Sequence, residues 1–390
     1  MSRAPRVRAA DVPRIPCQRQ LRHVKPVPAL SVQKLDMSDQ SYLQWLVANT
    51  PTTWWHDSAD PKELHLALEH AASGVTTNPV LAAQALAADP EYWNAKLRNL
   101  APDLAGNERA IAILETVTGH IARELLPVYE RTNREQGYVC AQVNPAQATD
   151  AEAMVTMARR FKDWSPNIAI KLPVTAAGLD ALEECAADGM SITATVSFTV
   201  PQVIAVAERF RLGAERARQA GKTPGRCFAV IMIGRLDDYL RDVIHDQHAD
   251  IAESDIRQAG IAICKRAYSI FEEKDYEAIL LVAALRGVHH MTPLAGARLI
   301  MSIHPTNQAL LMAQGVPQQE YIEEPVDAGV VSRLMGVREF VRAYEPEGMS
   351  PAEFFSYGVT QRTLTQFSHA GWMPVQAHEI DSQPDPQGSC

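Results

Sequence analysis

Residues 167–178 read NIAIKLPVTAAG. Ile168, Ala169 and Ile170 lead into Lys171 without a polar neighbour, Pro173 stops the run, and Thr175 is placed to cap a following helix. A strand that is apolar on both faces belongs to a sheet covered on both sides, and such sheets are mostly parallel. Side chains alternate along a strand, so Ala169 and Lys171 share one face and Ile168 and Ile170 the other. With the isoleucines against outer helices, Lys171 faces a barrel interior above small Ala169. Desolvation disfavours an ammonium, and a free amine in such a place is a nucleophile toward carbonyls. The stretch alone reads more readily as a lysine at a strand end whose ammonium reaches solvent.

The same type of segment recurs on both sides of it. Apolar strands are predicted at Thr52–Asp57 (TTWWHD), Gly74–Asn78 (GVTTN), Tyr138–Asn144 (YVCAQVN), Ser191–Ser197 (SITATVS), Cys227–Gly234 (CFAVIMIG), Ala278–Leu285 (AILLVAAL) and Ala297–Ile303 (ARLIMSI). Helical patterns lie between them, including Asp60 to about Ala72, Ile111–Tyr129, Pro201–Ala220 and Asp255–Glu273. Capping boxes are expected at Asp60/Glu63 and Thr149/Glu152. Alternating strands and helices with wholly apolar strands indicate a parallel sheet, and eight such units favour a closed (β/α)8 TIM barrel of the α/β class. No glycine-rich dinucleotide fingerprint follows the first strand. Beyond Asn307 the pattern turns to helices without strands, such as Val330–Tyr344 and one opened by Ser350, Pro351 and Glu353. The organisation read from this is an N-terminal extension over 1–36, a catalytic barrel over 37–310, extra C-terminal helices over 311–376, and a polar, Pro-rich tail over 377–390 expected to be disordered. The extension carries six arginines, several prolines and almost no acid. It reads as disordered chain or as sequence ahead of a true start at Met37, and a targeting segment is left open.

Composition narrows the function. The 390 residues are 46% hydrophobic, ample for a large core, yet no apolar run reaches membrane-spanning length. A net charge of −9 argues against nucleic acid as a partner, while leaving small anionic substrates to local arginines. The six cysteines are scattered with no CxxC pair, which fits reduced core residues in a cytoplasmic protein. Gly221-Lys222-Thr223 lacks the first glycine of a phosphate loop, since Arg216 stands there. Neither His245/His248 nor His289/His290 has metal-ligand spacing, so no metal and no cofactor are expected. Trp54 and Trp55 read as core and barrel-bottom packing.

Polar residues recur at the C-terminal ends of the predicted strands: Asp57, Asn78, Gln142, Lys171, Thr195, Arg235 and Arg286. In a barrel these ends converge on one face, where active sites are built. TTWWHDSAD, GVTTNPVL, IKLPVTAAGL, ITATVSF and IGRLDD, in this order from Thr52 onward, resemble the transaldolase family. The resemblance implies a class I aldolase in which Lys171 forms a Schiff base with a ketose. Asp57 resembles the acid/base for the C4 hydroxyl, and Asn78 the residue orienting the dihydroxyacetone unit. Thr195 resembles the holder of a catalytic water, and Arg235 with Arg286 the site for a sugar phosphate. The expected partners are therefore small sugar phosphates, with a homo-oligomer left open.

Three features depart from that family pattern. Gln142 in CAQVNP stands where a glutamate is usual, as in the related fructose-6-phosphate aldolases, and glutamine cannot act as a general base. Met232 stands where those aldolases carry a tyrosine, and Val230 and Ala284 replace two serines. Three readings follow: a dihydroxyacetone-transferring transaldolase, a simple aldolase using the same lysine, and a non-catalytic barrel that binds a sugar phosphate.

Overall fold

The computed structural model describes residues 40–313 and 315–380. Eight parallel strands close in chain order into a barrel: β1 (Thr53–His56), β2 (Gly74–Val75), β3 (Tyr138–Gln142), β4 (Ile168–Pro173), β5 (Ile192–Thr195), β6 (Cys227–Met232), β7 (Ile279–Ala283) and β8 (Ile300–Ile303). Closure is made by β8 on β1, with Thr53 opposite Ile300 and His56 opposite Ile303. Helices follow the strands and ring the barrel, from Pro61–Glu69 after β1 to Pro305–Met312 after β8, and further helices succeed them. The architecture is the expected (β/α)8 barrel with C-terminal additions.

The strands form because both faces are buried. β4 is buried along its whole length, as are β3 and β6. Cys140 Sγ on β3 lies 3.4 Å from Thr193 Oγ1 on β5, across the intervening β4, a contact that only the inside of a barrel permits. The N-terminal end of the barrel is plugged by aromatic rings: Trp55 meets Phe228 at 4.6 Å between centroids, and Tyr138 meets Phe228 at 5.3 Å. Gly74 on β2 is required there, because a Cβ would lie 2.6 Å from the Trp55 ring. Trp54 turns outward and donates its indole N–H to the His70 carbonyl at 3.1 Å.

β2 is shorter than expected, ending at Val75, because Asn78 caps the next helix and pulls the chain out of the sheet. Its Oδ1 accepts from the N–H groups of Val80 and Leu81. Two capping boxes resolve differently. Asp60 does cap its helix, but Glu63 accepts from the Ser58 hydroxyl at 2.5 Å instead of reaching back to the cap. Asp150, not Thr149, caps the helix Ala151–Phe161. The segment read as one helix over Val330–Tyr344 is two, Ala328–Leu334 and Arg338–Tyr344. A helix not anticipated, Ile233–Asp246, begins directly at the end of β6 with no capping side chain to announce it. The N-terminal extension over 1–36 and positions 381–390 lie outside the described residues.

The C-terminal helices return to the barrel. Gly358–Phe367 continues through a π-helical turn, Ser368–Trp372, into Met373–Ala377. A Cβ on Gly371 would meet Val80 N at 2.7 Å, so the π turn sits against the start of the helix that Asn78 caps. The Trp372 indole N–H donates to Asn107 Oδ1 at 3.1 Å. His378, expected in a disordered tail, is docked: its carbonyl accepts from Arg109 at 2.7 Å.

Candidate active site

A cavity of about 460 Å³ opens at the C-terminal end of the barrel. Six of the seven residues singled out from the sequence line it: Asp57, Asn78, Lys171, Thr195, Arg235 and Arg286. The seventh, Gln142, is paired in register with Lys171 on the neighbouring strand and is buried, but does not line the cavity.

Lys171 is only 6% exposed, and its Nζ donates to the Thr77 carbonyl at 3.1 Å. Among the described residues no carboxylate pairs with it. The lysine therefore faces the cavity with a neutral partner alone. Thr195 Oγ1 and Gln142 Oε1 are both buried without a hydrogen-bond partner among the described residues. Buried polar atoms are rarely left so, and two on strands flanking β4 mark where a small polar group would be held.

Asp57 follows β1 and is braced by hydroxyls that the sequence did not single out. Thr76 Oγ1 donates to Asp57 Oδ1 at 2.7 Å and lies 2.6 Å from Ser302 Oγ. With its proton committed to the carboxylate, the Thr76 hydroxyl accepts from Ser302. This Ser302–Thr76–Asp57 relay fixes one carboxylate oxygen and leaves the other for substrate. Asn78 is fixed the same way: its Oδ1 is consumed by two backbone donors, at 2.9 and 3.0 Å, so its amide nitrogen remains as the donor. Behind Asp57, His56 points away from the cavity, is 1% exposed, and accepts at Nδ1 from Gln308 at 2.9 Å. Burial above all holds its imidazole down at about 4, so it stays neutral.

The mouth is basic. Arg235, on the first turn after β6, donates to Gln366 Oε1 at 2.5 Å and lies over the Phe367 ring at 5.4 Å. Burial, then the neighbouring charge of Arg286, lowers its guanidinium to about 10, which leaves it charged at neutral pH. Arg286, after β7, donates Nε and Nη2 to Asp238 at 3.0 and 2.8 Å. Its backbone is held too. The Arg286 N–H donates to His290 Nδ1 at 3.2 Å, and His290 Nε2 in turn donates to Asp237 Oδ2 at 2.8 Å. Asp237, through buried His290, and Asp238 thus grip the two ends of one arginine, whereas His289 is half-buried with its Nδ1 3.1 Å from Arg257 Nη2. Asp237 Oδ1 also accepts from the Gly260 N–H at 2.8 Å.

Two non-glycine residues at this face have left-handed backbone: Val196 after β5 (φ 56°) and Ala284 after β7 (φ 57°). For a β-branched residue this costs on the order of 1–3 kcal/mol and persists only where the surroundings impose it. Buried Gln202 supplies that restraint, donating to the Val196 and Val174 carbonyls and accepting from Phe198 N and Thr199 Oγ1. The reward is a fixed direction for Thr195. Among the described residues Cys140, Cys185, Cys227 and Cys264 are free and buried, and no helix is long and apolar enough to cross a membrane.

A family model described as transaldolase/fructose-6-phosphate aldolase matches residues 54–342. A transaldolase of Thermobifida fusca is 31% identical over 228 residues, covering 57% of this chain and 61% of the relative. A transaldolase of Thiobacillus denitrificans is 27% identical over 322 residues, covering 71% of this chain and 89% of the relative. The chain spans about 60% of the length of the first curated relatives it matches.

Proposed function

Since the chain belongs to the transaldolase/fructose-6-phosphate aldolase family, we propose that it moves a dihydroxyacetone unit from a ketose phosphate to an aldose phosphate through a Schiff base on Lys171. The observation that carries the reading is Lys171 itself, nearly buried, facing the cavity and free of any carboxylate partner among the described residues. Its amine attacks the ketose C2 carbonyl and water leaves, giving a protonated imine. Asp57 takes the C4 hydroxyl proton as the C3–C4 bond breaks, and the electron pair is drawn into the imine as an enamine. Asn78 orients the C1 and C3 hydroxyls through its amide nitrogen. The enamine carbon then attacks an acceptor aldehyde, Asp57 returns its proton to the new alkoxide, and water hydrolyses the imine. Thr195 Oγ1, which lines the cavity and is buried without a hydrogen-bond partner among the described residues, holds that water. Arg235 and Arg286 take the phosphate at the mouth, where planar guanidinium forks suit its oxygens.

Borohydride reduction in the presence of fructose 6-phosphate tests the imine. A dihydroxyacetone or ketose adduct on Lys171 by mass spectrometry is expected; its absence with any ketose, with binding retained in Lys171→Ala, leaves a non-catalytic sugar-phosphate-binding barrel. Lys171→Arg should be inactive, because a guanidinium stays protonated and forms no imine.

Gln142 favours a second reading, simple aldol cleavage. The Ala141-Gln142-Val143 segment resembles that of the fructose-6-phosphate aldolases, which release the dihydroxyacetone unit rather than transferring it. Incubation with fructose 6-phosphate with and without erythrose 4-phosphate separates the two: product only with the acceptor is transfer. The four free buried cysteines support a cytoplasmic site of action.

A further inference from the structure

Two sides of the cavity differ in chemistry, with Gln84, His304, Thr306 and Asn307 also in the lining. Asp57, Thr76, Asn78, Lys171, Thr195 and Ser302 give one side hydroxyls, amide and charge. The opposite wall, from β6 and β7 and the residues just after them, is Val230, Met232, Leu281, Ala283, Ala284 and Leu285. Not one of these six side chains can donate or accept a strong hydrogen bond. Their backbone is also occupied. Val230, Ile231 and Met232 pair in register with Leu281, Val282 and Ala283. The Val230 carbonyl accepts from Ser197 Oγ, the Met232 N–H donates to the Ser197 carbonyl, and the Ala284 carbonyl accepts from Arg286 Nη1. Arg235 and Arg286 stand on the segments immediately after β6 and β7, so they crown this wall and not the polar side. A substrate joined to Lys171 at one end and to those arginines at the other brings the carbons nearest its anionic end past β6 and β7.

From this we infer that, among the phosphorylated aldehydes the site accepts, one with a deoxygenated carbon chain is used in preference to a polyhydroxylated aldose phosphate. The inference rests on the Schiff-base reading above and specifies the substrate of the same site. In the coupling step the enamine carbon bonds to the aldehyde carbon and the aldehyde oxygen takes the proton from Asp57. That oxygen is the single polar atom of the acceptor near the polar side. Water then hydrolyses the imine, releasing the lengthened ketose and returning the Lys171 amine. A hydroxyl carried against the β6–β7 wall exchanges its water for nothing, and a buried unpaired hydroxyl lowers the rate constant for capture by on the order of tenfold.

The matched pair erythrose 4-phosphate and 4-oxobutyl phosphate isolates the effect, since the two share length, aldehyde and phosphate and differ only in two hydroxyls. With fructose 6-phosphate as donor, kcat/KM for 4-oxobutyl phosphate should exceed that for erythrose 4-phosphate by about tenfold or more. Val230→Thr and Ala284→Ser each place a hydroxyl on the wall with little change in volume and should shift the ratio toward erythrose 4-phosphate. Equal or better use of erythrose 4-phosphate by the unaltered enzyme overturns the inference, whatever the variants do. Borohydride trapping on Lys171 is run beside it. An adduct with the wrong acceptor order sinks the specificity alone, whereas no adduct sinks the Schiff-base reading beneath it.

Discussion

The two ends of the barrel are built from the same eight strands and have opposite characters. At the N-terminal end, Trp55, Tyr138 and Phe228 fill the interior ring against ring, and Gly74 is needed only so that Trp55 fits. At the C-terminal end the same strands finish in Asp57, Lys171 and Thr195, with two buried oxygens unpartnered and two residues in left-handed backbone. One end is packed with aromatic rings; the other holds polar groups in readiness for something else. The contrast teaches where stability and activity should separate under mutation.

The sharpest way to break that contrast is Lys171→Met, which keeps length and removes the amine. Turnover should fall on the order of 10⁴-fold or more, with the denaturation midpoint unchanged or raised. A stability loss of core-like size would show that the C-terminal end is structural after all. Asp57→Asn should lower kcat by about 10²–10⁴-fold, because the amide accepts the Thr76 hydroxyl but cannot carry a proton. Steady-state kinetics with an unchanged melting curve is the expected pair of readings. At the other end, Gly74→Ala drives a methyl into the Trp55 ring and should cost about 2–3 kcal/mol in chemical denaturation, while kcat per folded molecule stays as it was. A large kcat change without destabilisation would couple the two ends.

The smallest effect concerns His56, which sits at the C-terminal end but faces away from the cavity. Its imidazole is held at about 4 in the folded chain against an unfolded value of about 6.5. Above the unfolded value both states are neutral and the histidine costs nothing. As pH falls below it, the unfolded chain gains a proton that the folded chain refuses, so stability drops until the folded value is passed. Between about pH 7 and pH 5.5 the loss should be roughly 1 kcal/mol, and His56→Gln should remove that component from the denaturation series.

Much of this was legible in the residues because it is local. A period-two apolar run bounded by proline and a capping residue declares a covered strand, as at 167–178, and polar residues at successive strand ends declare the working face. Other parts were legible only in space. Thr76 and Ser302 read as ordinary strand residues, although 226 positions apart they form one hydroxyl relay. His290 and Asp237 are 53 positions apart, and nothing local to either says that the fold brings them within hydrogen-bond distance. The helix Ile233–Asp246 is not legible in the sequence because it starts on the residue directly after β6 without a side-chain cap, so the apolar run and the helix merge. Gln366 and Phe367 carry no local sign of their place over Arg235.

The seating of Gly371 on Pro79 and Val80, together with Gln366 on Arg235, has a consequence in time. Residues 358–372 come after all eight strands in the chain, so during synthesis the barrel can close while the segment that completes its mouth is still unmade. A nascent chain at that stage has Lys171 in place and an Arg235 without its rim partner. Competence should therefore arrive with the last helices to leave the ribosome and not with closure of the barrel.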